Sequence, residues 1–141
     1  NKVPQVEAKT AMKLYRALNK AIRAGLVASC HDCSDGGLAV ALAETAFAGG
    51  LGLNVDLKDV PYRGKKRDDY ILFSESASRF VVTIHPQNKD KFEKLMKGNI
   101  LGEIGLVTNN RVLQVSGLSG KTVIKEKIDT LKSAWQKPLN F

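Results

Sequence analysis

The 141-residue chain is long enough for one domain that buries about 68–70% of the surface its unfolded form exposes. Hydrophobic residues make up 43% and charged residues 26%, and the apolar runs, of which Gly36–Ala43 is among the longest, are too short to cross a bilayer. A net charge of +8 raises a nucleic-acid reading, but aromatic content is only 6% and the cations are scattered, so a solvated lysine-rich surface is the expectation. Two cysteines do not make a disulfide framework, which suggests a reducing, cytoplasmic setting. The first residues lack the features of a signal peptide, and a start at Asn1 suggests a segment of a longer product.

Ala8, Met12, Tyr15, Leu18 and Ile22 recur at three- and four-residue steps, so residues 7–24 read as a helix stopped by Gly25. Leu26–Cys30 reads as a short buried strand. The polar turn His31-Asp32-Cys33-Ser34-Asp35-Gly36-Gly37 follows, and Ser34 or Asp35 is expected to cap a helix running to about Ala48 and ended by Gly49-Gly50. Leu51–Leu57 alternates like a half-buried strand, Pro61–Asp69 is a basic loop, and Tyr70–Phe73 is a short apolar turn. Arg79–Ile84 is a strand and 87–97 a helix. Ile100–Val107 and Arg111–Val115 read as a hairpin about Asn109-Asn110. The tail from about Lys121 to Trp135 places Ile124, Ile128, Leu131 and Trp135 at helical spacing, with Trp135 as a core anchor. This alternation predicts a single α/β domain over 1–141, layered α/β/α around one mixed sheet.

The strand–turn–helix over Val27–Ala48 is the first candidate site. A helix N-terminus offers unpaired N–H groups and about half a positive charge, and Gly36 and Gly37 permit close approach of a phosphate or of another backbone. A capped helix start with glycines needed for packing reads equally well. Asp32 and Asp35 are of the ligand type that Mg²⁺ takes alongside substrate phosphates. Cys30 and Cys33 do not make a zinc or redox site: there is no second Cys-x-x-Cys, His85 is the only other histidine, and adjacent Cys30 and His31 are awkward co-ligands. His31 has no partner legible in the sequence and reads as a hydrogen-bonded structural residue. The second candidate is Phe73-Ser74-Glu75-Ser76-Ala77-Ser78-Arg79, where Ser74, Ser76, Ser78 and Arg79 could offer donors to a phosphate or carboxylate. Otherwise the serines satisfy a turn and Arg79 pairs with Glu75.

Together, His31-Asp32-Cys33-Ser34-Asp35-Gly36-Gly37-Leu38-Ala39-Val40-Ala41-Leu42-Ala43-Glu44 and Leu72-Phe73-Ser74-Glu75-Ser76-Ala77-Ser78-Arg79-Phe80 resemble the C-terminal domain of the phosphoribosylformylglycinamidine synthases. These belong to the superfamily of aminoimidazole ribonucleotide synthetase and selenophosphate synthetase. The resemblance spans nearly the whole chain. It implies helices on both faces of a mixed sheet, with partial ferredoxin-like topology. It also implies a parent ligase of purine biosynthesis that uses ATP and Mg²⁺ to turn the formyl amide of formylglycinamide ribonucleotide, a phosphorylated substrate, into an amidine. ATP activates the amide oxygen as a phosphate ester, which ammonia from a glutaminase subunit or domain displaces.

The family's substrate segment reads Ser-Glu-Ser-Gln in the first of two C-terminal copies. Ala77 stands at the Gln place here, which points to the second copy, an auxiliary nucleotide-binding or structural one. Ser34, Gly36, Gly37, Ser74, Glu75, Ser76 and Arg79 are then substrate- or nucleotide-binding positions, with Asp32 and Asp35 as metal candidates. No catalytic residue is expected in this chain, because the family's catalytic histidine lies in an N-terminal domain. The expected partners are those N-terminal domains and the glutaminase, not nucleic acid or a membrane. The fragment alone should be inactive and need no cofactor. Other readings are another enzyme of the superfamily, selenophosphate synthetase-like or a kinase, and a basic nucleic-acid-binding module. The two motifs should converge, with Ser76 and Gly36 within roughly 20 Å, the length of a helix of about 13 residues.

Overall fold

The computed structural model describes residues 5–139. In chain order the elements are α1 (Ala8–Arg23), β1 (Ser29–Asp32), α2 (Gly37–Gly49), β2 (Gly52–Asp56), α3 (Asp68–Phe73), β3 (Phe80–Thr83), α4 (Lys89–Met96), β4 (Gly105–Thr108), β5 (Val112–Ser116), β6 (Thr122–Lys127) and α5 (Ile128–Gln136). Short 3₁₀ turns follow β2, precede α4 and follow α5.

Glu7 caps α1, its carboxylate accepting from the Lys9 and Thr10 amides at 3.3 and 2.7 Å. At the other end Gly25 adopts φ +68°, and the Gly25 and Leu26 amides donate to Ile22 and Ala21 carbonyls. That pattern terminates a helix by satisfying its last carbonyls, and it favours glycine at the left-handed position. The expected stop at Gly25 is therefore present.

The expected α/β architecture with a mixed sheet is present, but the strands divide over two sheets. β2 is central in a four-stranded sheet of order β4-β2-β5-β6, antiparallel to β4 and parallel to β5. β1 and β3 pair separately and antiparallel, from Ser29↔Thr83 to Asp32↔Phe80. α2 lies between the two sheets and packs on both. Its 13 residues are apolar on nearly every side, as a helix enclosed all round must be. Leu42 and Ala46, each 1% exposed, meet Leu53, Val55, Leu113 and Val115 of the large sheet and Val81 of the small one. A second small cluster, around Ala21, Phe92 and Met96, joins α1 and α4 to Val82 on the small sheet's other face and to Ile84 just past β3.

Four local expectations are corrected. Leu26 and Val27 belong to the α1–α4 cluster, so β1 begins only at Ser29 and is largely exposed, with β3 as its one neighbour. The segments on either side of Asn109-Asn110 do not form a hairpin with each other. β4 and β5 flank β2, and the turn between them crosses the start of β2 at Gly52, where a side chain would collide with Asn110 and, at 2.6 Å, with the Val112 carbonyl. The tail is helical only from Ile128. Thr122–Lys127 is a strand on β5, with Ile124 opposite Val115. Tyr70–Phe73 is not a turn but most of α3, whose first residue, Asp68, accepts from the Leu118 amide at 2.8 Å.

Candidate functional site

The chain leaves β1 at Asp32 and reaches α2 through Cys33–Gly36. Gly36 takes φ +77° and Gly37 φ +64°, conformations that favour glycine. No side chain caps the helix from within the turn, so the expected role of Ser34 or Asp35 is corrected. The Gly36 amide donates instead to Glu75 Oε1 at 2.9 Å, across 39 residues of sequence. A carboxylate there opposes the positive end of the helix dipole and satisfies one of its unpaired donors. Ser34 donates its hydroxyl to Asp32, and this bond holds the Asp32 carboxyl below the usual range.

The two motifs are thus one assembly. A Cβ on Gly37 would lie 2.8–3.0 Å from the Ser74 and Leu72 carbonyl oxygens and the Phe73 carbonyl carbon, so α2 starts in backbone contact with the end of α3. The Gly36–Glu75 bond alone puts the Cα atoms of Gly36 and Ser76 within about 13 Å by bond lengths. The expected convergence is met.

Arg79 is half-buried and turned inward. Its guanidinium donates to the Ser74 carbonyl at 3.0 Å and reaches the Ile71 carbonyl at 3.5 Å, so it caps the C-terminal end of α3 instead of pairing with Glu75. The Arg79 carbonyl accepts from the Cys33 amide at 2.9 Å, tying the turns together again. Ser78 has φ +61°, a conformation uncommon outside glycine, and its hydroxyl shares a 2.8 Å hydrogen bond with Tyr15 of α1. Ser34, Asp35, Glu75 and Ser76 face solvent.

These residues do not by themselves fit a nucleotide phosphate or Mg²⁺. The Gly36 N–H already serves Glu75, and Asp32 is engaged by Ser34. Among the described residues no three His, Cys, Asp or Glu side chains gather as a metal site, so Asp32 and Asp35 lack further ligands from this chain. Burial raises the Cys33 thiol, and partial desolvation with the neighbouring Asp32 charge raises that of the more exposed Cys30, which keeps both protonated at neutral pH, unlike a reactive Cys-x-x-Cys pair.

A second group of polar side chains lies around the corner. His31 Nε2 is 2.6 Å from Glu44 Oε2, and the other oxygen of Glu44 accepts from the Trp135 indole N–H at 2.7 Å. Trp135 is 49% exposed, with its ring 5.6 Å from that of Phe47, so it is a half-open wall of a cleft and not the expected buried anchor. Sequence reasoning left His31 without a partner. The available signal was Glu44 itself, the one charged residue in an otherwise apolar helix, which must find a hydrogen-bonding group.

The family model described as AIR synthase related protein, C-terminal domain, matches residues 1–117. The chain belongs to this family. It is 39% identical over 137 residues to the phosphoribosylformylglycinamidine synthase subunit PurL of Alkaliphilus metalliredigens, covering 96% of this chain and 18% of that protein. It is 40% identical over 105 residues to PurL of Methanocaldococcus jannaschii, covering 74% of this chain and 14% of the relative. The chain therefore spans less than a fifth of the length of these relatives. Among solved structures, Thermotoga maritima PurL complexed with FGAR superposes with a TM-score of 0.76 at 27% identity, over 86% of this chain and 20% of that one. Another structure of the T. maritima synthase gives 0.81 at 25% identity over 92% and 22%. The hydrogenase maturation protein HypE, at 17% identity and TM-score 0.65 over 81% and 41%, shares the fold alone. α5, with Trp135, lies beyond the residues the family model matches.

Proposed function

We propose that residues 1–141 are one C-terminal domain of a larger phosphoribosylformylglycinamidine synthase, a ligase that converts formylglycinamide ribonucleotide, ATP and glutamine-derived ammonia to the amidine. The observation that carries this is 39% identity across 96% of the chain to a PurL subunit. Likeness to T. maritima PurL in complexes with FGAR and with ATP supports it. The domain's contribution is the locked pair of turns, Cys33–Gly37 and Ser74–Arg79. Its polar outer groups, Ser34, Asp35, Glu75 and Ser76, are open to solvent and would face the N-terminal domains. Mg²⁺ would need ligands from those domains, since Asp32 and Asp35 alone are too few. Ala77, and a helix N-terminus already answered by Glu75, favour the second copy, in a structural or auxiliary nucleotide role. The likeness to a PurLQS structure supports partners beyond this chain, with a glutaminase subunit or domain as the source of ammonia. The two free cysteines fit a reducing, cytoplasmic setting.

The test is an amidine-formation assay with formylglycinamide ribonucleotide, ATP, Mg²⁺ and ammonia. The chain alone should give neither product nor ATP turnover, and a parent synthase deleted for this domain should also be inactive. Turnover by the chain alone, or full activity of the deleted parent, would refute the assignment.

A further inference from the structure

The Ser74–Arg79 turn is held from a third element, α1. Ser78 lies between Glu75, which reaches the Gly36 amide, and Arg79, whose carbonyl accepts from the Cys33 amide. Its φ of +61° turns the chain from the one contact into the other. A residue with a Cβ avoids that conformation by a factor of about ten, so some contact must offset the cost. The Tyr15 hydroxyl, 2.8 Å from the Ser78 hydroxyl, is the group in place to do so. A hydrogen bond of this kind contributes a factor of about five, the same order as the penalty.

Tyr15 is itself fixed. Its ring stands edge-on to Phe80 of β3, with centroids 5.8 Å apart and planes at 87°, an arrangement favoured between aromatic rings. Farther along α1, fully buried Ala21 packs with Phe92 and Met96 of α4 and anchors the helix that carries Tyr15. The contacts therefore run from α1 through Tyr15, Ser78 and Glu75 to the start of α2. A phenylalanine at position 15 would keep the ring contact and lose only the bond to the turn.

We propose that Tyr15 is a positioning residue of the two-turn site: its hydroxyl holds Ser78 left-handed, and thereby Glu75 on the Gly36 amide. The role rests on the reading that these two turns are the domain's contribution. It places Glu75, a solvent-facing carboxylate of that site, under the control of a helix that shares no residue with either motif. The test is hydrogen exchange of the Gly36 amide, followed by NMR in the 141-residue chain. Tyr15→Phe should speed it about fivefold, with the amides of Leu42 and Ala46 in buried α2 unchanged. Ser78→Ala, which removes the other hydroxyl, should do the same. Adding Ser78→Gly to Tyr15→Phe should restore the slow rate, because glycine takes a positive φ without the Cβ penalty. Glu75→Ala gives the rate of the unbonded amide. An unchanged Gly36 rate in Tyr15→Phe, equal acceleration throughout α2, or no rescue by glycine would each overturn the role of Tyr15. A Gly36 amide no faster in Glu75→Ala than in the parent chain would show instead that the two turns are not joined, and the site reading would fail with it.

Discussion

Replacing Gly37 by alanine separates two costs that the structure places at one residue. Gly37 has φ +64°, and a left-handed conformation costs a residue with a Cβ about 1–2 kcal/mol. The new Cβ would also meet three backbone atoms of the α3 end at 2.8–3.0 Å, none of which is the free end of a flexible side chain. Forcing such overlap costs a further ~1–3 kcal/mol, so the total is about 2–5 kcal/mol. Gly25→Ala is the matched control, because Gly25 has φ +68° but nothing within 4 Å of its would-be Cβ, and only the conformational part remains. For a domain of this size each kcal/mol moves the melting temperature by about 4 °C. Gly37→Ala should therefore melt about 8–20 °C below the parent and Gly25→Ala about 4–8 °C below it. Urea unfolding monitored by circular dichroism gives the same comparison as free energies. If the two variants lose the same stability within about 0.5 kcal/mol, the close α2–α3 approach that unites the two motifs is not there.

Trp135→Ala should cost about 1–2 kcal/mol, since it removes one hydrogen bond and a half-exposed ring. A loss of about 3 kcal/mol or more in urea would restore the buried anchor. Ser34→Ala should raise the Asp32 titration toward the ordinary carboxylate range, followed by carboxyl-carbon NMR, because the Ser34 bond is the main cause of its depression. With a depressed folded-state pKa, the stabilisation is present at neutral pH and lost as pH falls through that value. In the variant the folded and unfolded carboxyl titrate more nearly alike, so this acid-dependent loss should shrink. An unmoved titration would remove Ser34 as the cause. Iodoacetamide at pH about 7 should modify buried Cys33 more slowly than exposed Cys30. Equal rates, or an intramolecular disulfide in the intact mass, would contradict the packing of the turn.

Much of the architecture was legible from short-range pattern. The spacing of Ala8, Met12, Tyr15, Leu18 and Ile22 marks α1 as a helix, although Met12, Tyr15 and Ile22 are exposed and the buried face is Ala11, Leu18 and Ala21. The apolar run of α2 and the glycines at 25 and 50 likewise specify helices and their ends, because a helix is made of contacts three and four residues apart. The family motifs are likewise contiguous and so could be recognised without a structure. Pairing across the chain was not legible in this way. The segments around Asn109-Asn110 carry a good hairpin turn, yet β2, more than fifty residues earlier, takes the place between them, because burying Leu53 and Val55 beside Leu113 outweighs a local ladder. Ile124 and Ile128 suit helical spacing, but the open edge of β5 takes up Thr122–Lys127 as a strand. Only tertiary contact decided the site as well: Glu75 on the Gly36 amide, Arg79 turned onto α3 and Glu44 held between His31 and Trp135 join residues 39, 8 and 91 positions apart. The sequence by itself determined which residue types were available and where each local element could form. Which donor met which acceptor was decided by the packing of α2 between two sheets, because hydrogen bonds between distant residues are chosen by what the buried core brings within reach.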